Sequence, residues 1–329
     1  MKSGVAQVTL SEIQAPVLGE LDSVFDEMVC VLQADVPLIN DVSAHLLRAR
    51  GKMFRPTLLL LSAQAVGEIT PKEITLGAVV ELIHLATLLH DDSVDHSVLR
   101  RGQPTINAEF SHEVAVIMGD YLYTRAVEQL VKLQTQEALE ITSRVTNELT
   151  IGEMRELISY DGLEFSEADY QSLILAKTAS LMAGACELGA LAGGQRWREP
   201  FRRYGTNLGA AFQVADDLLD YTATEDVTGK PVGQDLREHK VTLPLIAAIP
   251  RMSTGERAQV ESLMANPTPE KPEIDAVIKI VEACDGIGAA RARASEMASQ
   301  AEAELDDVPP GPARDALLAS ISYCVERRK

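Results

Sequence analysis

Two aspartate groups in the sequence share one spacing. Asp91, Asp92 and Asp95 in "LLHDDSVDHSVLRRGQPT" and Asp216, Asp217 and Asp220 in "FQVADDLLD" both read D-D-x-x-D. On a helix, residues four apart share a face, so Asp91 projects with Asp95 and Asp216 with Asp220. Like charges so placed repel, and the macrodipole disfavours them near the end of a helix. One such cluster in an acidic chain reads equally well as a solvated face. Two of the same spacing, each closing an apolar helix and each followed by basic residues, point to oxygen ligands for a hard divalent cation. Mg²⁺ takes one or two carboxylates, keeps several waters and completes its shell with substrate phosphates. Two carboxylate walls facing across a cavity would therefore hold a diphosphate through shared metals.

Basic residues supply the rest of an anion site. "GKMFRP" places Lys52 and Arg55 at a helix start, where backbone N–H groups also attract anions. Arg100 and Arg101 follow the first aspartate cluster, Lys177 lies in "AKTASL", and Lys230 and Lys240 stand in "GKPVGQDLREHK". Alone, each would be a solvated surface charge. With the aspartates they imply two anionic groups, one bridged by metal and one held directly by Lys and Arg.

The elements that must position these groups are helical. Periodicity near 3.6 runs from end to end, with no convincing alternating strand pattern. Long helices are expected over 5–32, 38–49, 53–66, 71–99, 111–133, 135–160, 166–192 and 197–222, and shorter ones over 240–250, 254–265, 271–284, 286–306 and 310–327. Gly and Pro breakers fall between them, and no Ser/Gly linker divides the chain. The expectation is one all-α domain over residues 1–329, a bundle of long, mostly antiparallel helices around a central cavity.

Composition narrows the function. A formal charge of −19 argues against a nucleic-acid partner. No uninterrupted apolar run reaches the roughly 18 residues of a membrane span, and "MKSGVAQVTLSEIQAP" lacks an apolar leader core, so a cytoplasmic location is expected. Cys30, Cys186, Cys284 and Cys324 show no C-x-x-C spacing and read as reduced thiols. Glu81-x-x-His84 and Glu109-x-x-His112 have the spacing of carboxylate-bridged di-iron bundles, but His112 sits at a loop-to-helix transition and reads as a surface residue. "LLHDD" with His84 also suits a metal phosphohydrolase built on a His-Asp pair, a reading that leaves the second cluster and "GKMFRP" without a role. Glu153, Arg155 and Glu156 read as a solvated face. Cys186 and Met182 read as core packing, and Gly205 with Gly209 as a close helix approach.

In order, "GKMFRP", "ELIHLATLLHDDSVDHSVLRRGQPT", "GDYLYTRA", "KTASLM", "FQVADDLLD", "GKPVGQD" and "KVTLPLI" resemble the successive motifs of the trans-isoprenyl diphosphate synthases (polyprenyl synthetases), over roughly residues 50 to 250. The resemblance implies the isoprenoid-synthase type of all-α fold and a prenyltransferase that condenses an allylic diphosphate with isopentenyl diphosphate. It implies three Mg²⁺ ions per site. Asp91 and Asp95 would bind two with Asp92 in support, and Asp216 a third with Asp217 and Asp220. Arg100, Lys177, Thr178, Gln213, Lys230 and Lys240 would grip the allylic diphosphate. Lys52, Arg55, His84 and Arg101 would hold isopentenyl diphosphate, and the terminal Arg327, Arg328 and Lys329 would add charge. Met53-Phe54 departs from relatives that carry another basic residue there, and leaves both anion ligands in place. A terpene cyclase would not need the second-substrate residues, and a non-catalytic synthase subunit would show eroded aspartates. The resemblance further implies a homodimer.

In this family the residue five before the first aspartate sets product length, and an aromatic there stops the chain early. Here it is Ala86, with Thr87 beside it and Ile83 and Val79 one and two turns deeper. A facing helix, "IMGDYLYTRA", could supply a floor from Met118, Tyr121 or Leu122. With no aromatic near the mouth, the expected product is long, about C30 to C50 and suited to a quinone side chain, in place of a farnesyl or geranylgeranyl length.

Overall fold

The computed structural model of the chain describes residues 8–48, 50–100, 102–159, 162–222 and 232–326. After a short helix (Leu10–Gln14) and a 3-10 turn (Ala15–Val17), the main helices are α1 (Leu18–Val31), α2 (Pro37–Arg48), α3 (Phe54–Val66), α4 (Pro71–Val94), α5 (His112–Leu133), α6 (Gln136–Ser159) and α7 (Glu167–Ile174). A π turn (Leu175–Ala179) joins α7 to α8 (Ser180–Ala190). There follow α9 (Gln195–Thr222), α10 (Leu243–Ala248), α11 (Thr254–Met264), α12 (Lys271–Ala283), α13 (Gly286–Ala303) and α14 (Pro312–Val325). The expected all-α architecture is what forms. Among the described residues, the strand content is one two-residue antiparallel ribbon, Leu99–Arg100 against Gln103–Pro104.

Three boundaries depart from the sequence expectation, each for a local reason. The helix expected over 5–32 breaks at Ala15–Val17, where Pro16 cannot donate to the helical ladder. The helix expected to reach 99 stops at Val94. Asp95 caps it, His96 takes φ 51°, and the ribbon that follows reverses direction with Gly102 at φ 77° between its two strands. The helix expected over 166–192 is interrupted by the π turn, which adds a residue to the winding. The start of α4 follows its signals: Thr70 and Glu73 form a capping box, and Pro71 occupies the first helical position.

Helix α9 is the spine. Its 28 residues span about 42 Å. Its first half contributes Trp197, Phe201, Tyr204 and Leu208 to one apolar core with α1, α3, α4, α5, α8 and α14. Its second half contributes Ala211, Val214, Leu218 and Tyr221 to another core with α7, α10, α12 and α13. Gly205 and Gly209 give the close approach expected of them, since a Cβ at either would stand 2.6 Å from the Cα of Ala183 or Ala179. Glu187, buried on α8, accepts from Arg144 on α6 and from Arg198 Nη2 on α9 at 2.9 Å, tying three helices together. Pro71–Val94 and Glu167–Gly193 are long and apolar enough to cross a membrane by length and composition, but 61% and 78% of their apolar windows are buried within the fold. That burial is what core helices need.

Candidate active site

The first aspartate cluster closes α4. Asp91 and Asp92 lie in its last turn, and the Asp95 N–H donates to the Asp91 carbonyl at 2.8 Å. The three carboxylates have different fates. Asp92 is buried and bidentate to Arg100, with Nε to Oδ2 at 2.8 Å and Nη2 to Oδ1 at 2.8 Å. Arg100 therefore folds back from the ribbon onto the helix. Asn107 fixes the intervening turn by donating to the Ser97 carbonyl at 2.9 Å. Asp91 is half-buried, and among the described residues no donor reaches its carboxylate. Burial pushes Asp91 up to about 7, Lys177 opposes the rise, and Glu153, Glu156 and Asp95 add to it. A desolvated carboxylate with no donor beside an exposed Asp95 is an oxygen pair suited to a hard cation.

The second cluster closes α9. Asp216 is exposed. Asp217 is buried and accepts from Tyr170 Oη at 2.5 Å and from Gln213 Nε2 at 2.8 Å. Burial pushes it up to about 7 despite those two donors. Asp220 accepts the backbone N–H groups of Gln234 and Asp235, both at 2.9 Å, which pins the turn that Gly233 makes at φ 76°. Asp235 is thereby carried beside Asp217 and Asp220, and burial with those two charges pushes it up to about 8. Sequence reasoning did not single out Asp235. Its signal was weak, since its partner Asp220 lies fifteen residues back.

Lys177 and Thr178 sit on the π turn. Thr178 Oγ1 donates to Gln213 Oε1 at 2.8 Å, so a chain of hydrogen bonds runs from Thr178 through Gln213 to Asp217 and Tyr170. Lys177 Nζ donates to Glu156 and, at 3.0 Å, to Glu153. Lys240 Nζ lies 3.6 Å from Glu156 and 3.0 Å from Glu238. The reading of Glu153 and Glu156 as a solvated face is therefore corrected. Gly152 lets α6 approach the π turn so closely that a Cβ there would stand 2.8 Å from the Lys177 nitrogen, and that contact turns both glutamates inward. The structure thus brings Lys177, Thr178, Gln213 and Lys240 together around a cavity of about 230 Å³, with Tyr170, Asp217, Asp235 and Glu156 also in its wall.

Lys52 and Arg55 flank the start of α3, where Met53 takes φ 48°. Phe54, between them, stacks on Phe212 at 6.5 Å, one residue before Gln213. His84 is half-buried on α4, and its carbonyl accepts from Thr87 Oγ1 at 2.8 Å. Arg101, Lys230 and the terminal Arg327, Arg328 and Lys329 lie outside the described residues.

A groove of about 620 Å³ leads away from Asp91 and Glu153 between α4, α5 and α6. Of the residues expected to govern product length, Ala86, Thr87 and Ile83 line it. Val79, Met118 and Leu122 do not: they are buried in the first core, and Tyr121 points to the Leu32 carbonyl at 3.4 Å. Helix α5 turns its 118 and 122 face into that core, so Asp120 and Tyr123 face the groove instead. The opposite wall, Ser143, Thr146, Asn147 and Thr150 of α6, carries no motif and was not anticipated.

Among the described residues, no three His, Cys, Asp or Glu side chains converge into a ready-made metal cage.

A model of the polyprenyl synthetase family matches residues 36–281. The chain is 38% identical to the octaprenyl diphosphate synthase of Escherichia coli over 298 residues, covering 90% of this chain and 92% of that protein. The crystal structure of a polyprenyl synthase from Caulobacter crescentus, complexed with calcium and isoprenyl diphosphate, superposes with a TM-score of 0.91 at 34% identity, covering 98% and 99% of the two chains. A decaprenyl diphosphate synthase from Rhodobacter capsulatus gives a TM-score of 0.92 at 32% identity over 98% and 100%.

Proposed function

The chain belongs to the polyprenyl synthetase family, and from that premise we propose that it condenses an allylic diphosphate with successive isopentenyl diphosphates into a long-chain, all-trans polyprenyl diphosphate. The observation that carries the length is the likeness to long-chain synthases, octaprenyl and decaprenyl; the groove, which leads from Asp91 past Ala86 to Ile83 without an aromatic plug on α4, is open to a growing tail.

In this reading Asp91 and Asp95 on one side and Asp216 on the other hold divalent metal, three Mg²⁺ in all. When bound, the metal stabilises charge on the departing diphosphate. Asp92 and Asp217 work from behind, since their carboxylates are bonded to Arg100 and to Tyr170 with Gln213. Lys177, Thr178, Gln213 and Lys240, joined by Arg100 and Lys230, orient the allylic diphosphate. Lys52, Arg55, His84 and Arg101 hold isopentenyl diphosphate so that its double bond faces the ionising carbon. That double bond attacks the allylic cation and leaves a tertiary cation on the isopentenyl unit; the CH2 between that cation and the diphosphate-bearing carbon gives up a proton to the released diphosphate, so no protein nucleophile is required. The groove takes the tail between its apolar α4 wall and the Ser143, Thr146, Asn147 and Thr150 wall of α6.

Residues 1–329 act as one catalytic domain in this account, in a cytoplasmic enzyme. A second copy pairs with the apolar face that α5 and α6 expose through Ile117, Tyr123, Val131, Leu139, Met154 and Leu157. The test is chromatography of the products made from farnesyl and isopentenyl diphosphates with Mg²⁺. A product series ending above about C30 is expected. Accumulation at geranylgeranyl length would identify a short-chain enzyme, and phosphate release from one substrate alone a hydrolase.

A further inference from the structure

The lysines that face the diphosphate cavity are met by glutamates before any substrate arrives. Lys177 donates to both Glu153 and Glu156, and Lys240 lies between Glu156 and Glu238. One ammonium ordinarily needs one carboxylate. Here two carboxylates hold Lys177 while Asp91 adds a third negative charge nearby. The Glu153 carboxyl is itself pushed up, first by burial. Lys177, Glu153 and Glu156 are each no more than about one-third exposed, so solvent screens them only partly. A structural ion pair could be made on the surface at less cost in desolvation. The arrangement also needs a special backbone: the π turn presents Lys177, and Gly152 admits α6 close enough for its glutamates to reach.

The charge balance has a direct consequence for ligands. A diphosphate entering alone meets the carboxyls of Asp91, Asp95, Asp216 and Asp220 with Lys177 and Lys240 already neutralised. The same anion entering with divalent metal brings the charge that the aspartates lack. We propose that Glu153 and Glu156 make the diphosphate site conditional on metal: they cancel the charge of Lys177 and Lys240, so that the site refuses a diphosphate that comes without its cation. An ammonium has three donors, and two of those on Lys177 go to the glutamates. With metal present the third serves the phosphate, and the glutamates keep the ammonium aimed. After condensation, loss of the metal restores the balance against pyrophosphate and drives it out.

The inference rests on reading the cavity as a diphosphate site, and one titration separates the two. Inorganic pyrophosphate is titrated calorimetrically into the protein, once in chelator and once in excess Mg²⁺. Wild type should bind only in Mg²⁺. The Glu153→Gln/Glu156→Gln variant should bind pyrophosphate in chelator at least tenfold more tightly than wild type, and adding Lys177→Ala should remove the gain. Single Glu156→Gln, which retains a hydrogen-bonding side chain beside Lys177, serves if the double variant does not fold. Glutamine variants that bind no more tightly in chelator would overturn the inference, as would wild type binding equally well with and without Mg²⁺. Failure of wild type to bind even in Mg²⁺ would overturn the diphosphate-site reading instead.

Discussion

Replacing Ala86 by phenylalanine tests the path of the growing chain. Ala86 lies five residues before Asp91, about 7.5 Å along α4 at 1.5 Å per residue. An extended chain advances about 1.2 Å per bond, the same geometry that carries a peptide roughly 3.5 Å over three bonds. A five-carbon isoprene unit, with four bonds along the chain, therefore covers about 5 Å. A ring projecting at 86 obstructs an allylic tail longer than one to two units, so after one further condensation the product should stop at about C10 to C15. Ala86 borders the groove, so the added ring has open space to enter, and the stability cost should stay within the roughly 1–3 kcal/mol of overpacking. The assay is reversed-phase separation of labelled products made from dimethylallyl and isopentenyl diphosphates. The first condensation should keep its rate within a few-fold. Ile83→Phe, one turn deeper at about 12 Å from Asp91, should stop the chain about one unit later. An unchanged product length in both variants would refute the groove as the tail's path, and loss of the first condensation in Ala86→Phe would place the ring in the diphosphate site.

Three further outcomes follow from the same geometry. Burial raises Asp91 and Asp217 to about 7 and Asp235 to about 8. Between roughly pH 4 and 8 the folded chain thus holds protons that the unfolded chain has released, and these groups make stability fall as pH rises. Thermal melting of the metal-free protein should drop across that range and recover most at the alkaline end on adding Mg²⁺; a metal-free melting temperature that climbs instead would contradict the burial of these carboxyls. Tyr170→Phe removes one of two donors from buried Asp217 and should cost about 1–2 kcal/mol in urea unfolding; no loss would mean that the Tyr170 bond does not hold α7 to α9. Val131→Glu, at a position 62% exposed on α5, should leave the fold intact and convert dimer to monomer in sedimentation velocity; a persistent dimer would remove this face as the pairing surface.

What was legible in the sequence was what is local. The D-D-x-x-D pairs depend on one helical turn, and both fall in the last turns of the helices that apolar periodicity marks out, although α4 ends five residues short of its expected bound. The inequality within each cluster was also readable in principle. Successive helical residues are about 100° apart, so a residue between two that share a face must point elsewhere, as Asp92 and Asp217 do. Glu153 and Glu156 could not be read this way. Their partner Lys177 is more than twenty residues away and meets them only because Gly152 removes a side chain from the helix contact. The same holds for the α6 wall of the groove. Ser143, Thr146 and Asn147 look like an ordinary polar face until α4 and α5 are placed opposite. Local pattern carried the two aspartate clusters, while helix packing decided the partners of Lys177 and the lateral wall of the groove.

The π turn at Leu175–Ala179 makes the length of its segment as consequential as its composition. A π turn holds one residue more than the α-helix around it requires. Deleting any residue from 175 to 179 would let α7 and α8 join as a regular helix, with propensity and apolar content nearly unchanged. The flanks would keep their phase, because the turn already absorbs the extra residue, but the widened turn that presents Lys177 and Thr178 together to the cavity would be lost. A single-codon deletion here should therefore be more damaging to activity than most substitutions at the same positions, leaving a folded helical protein whose site has lost the placing of Lys177 and Thr178.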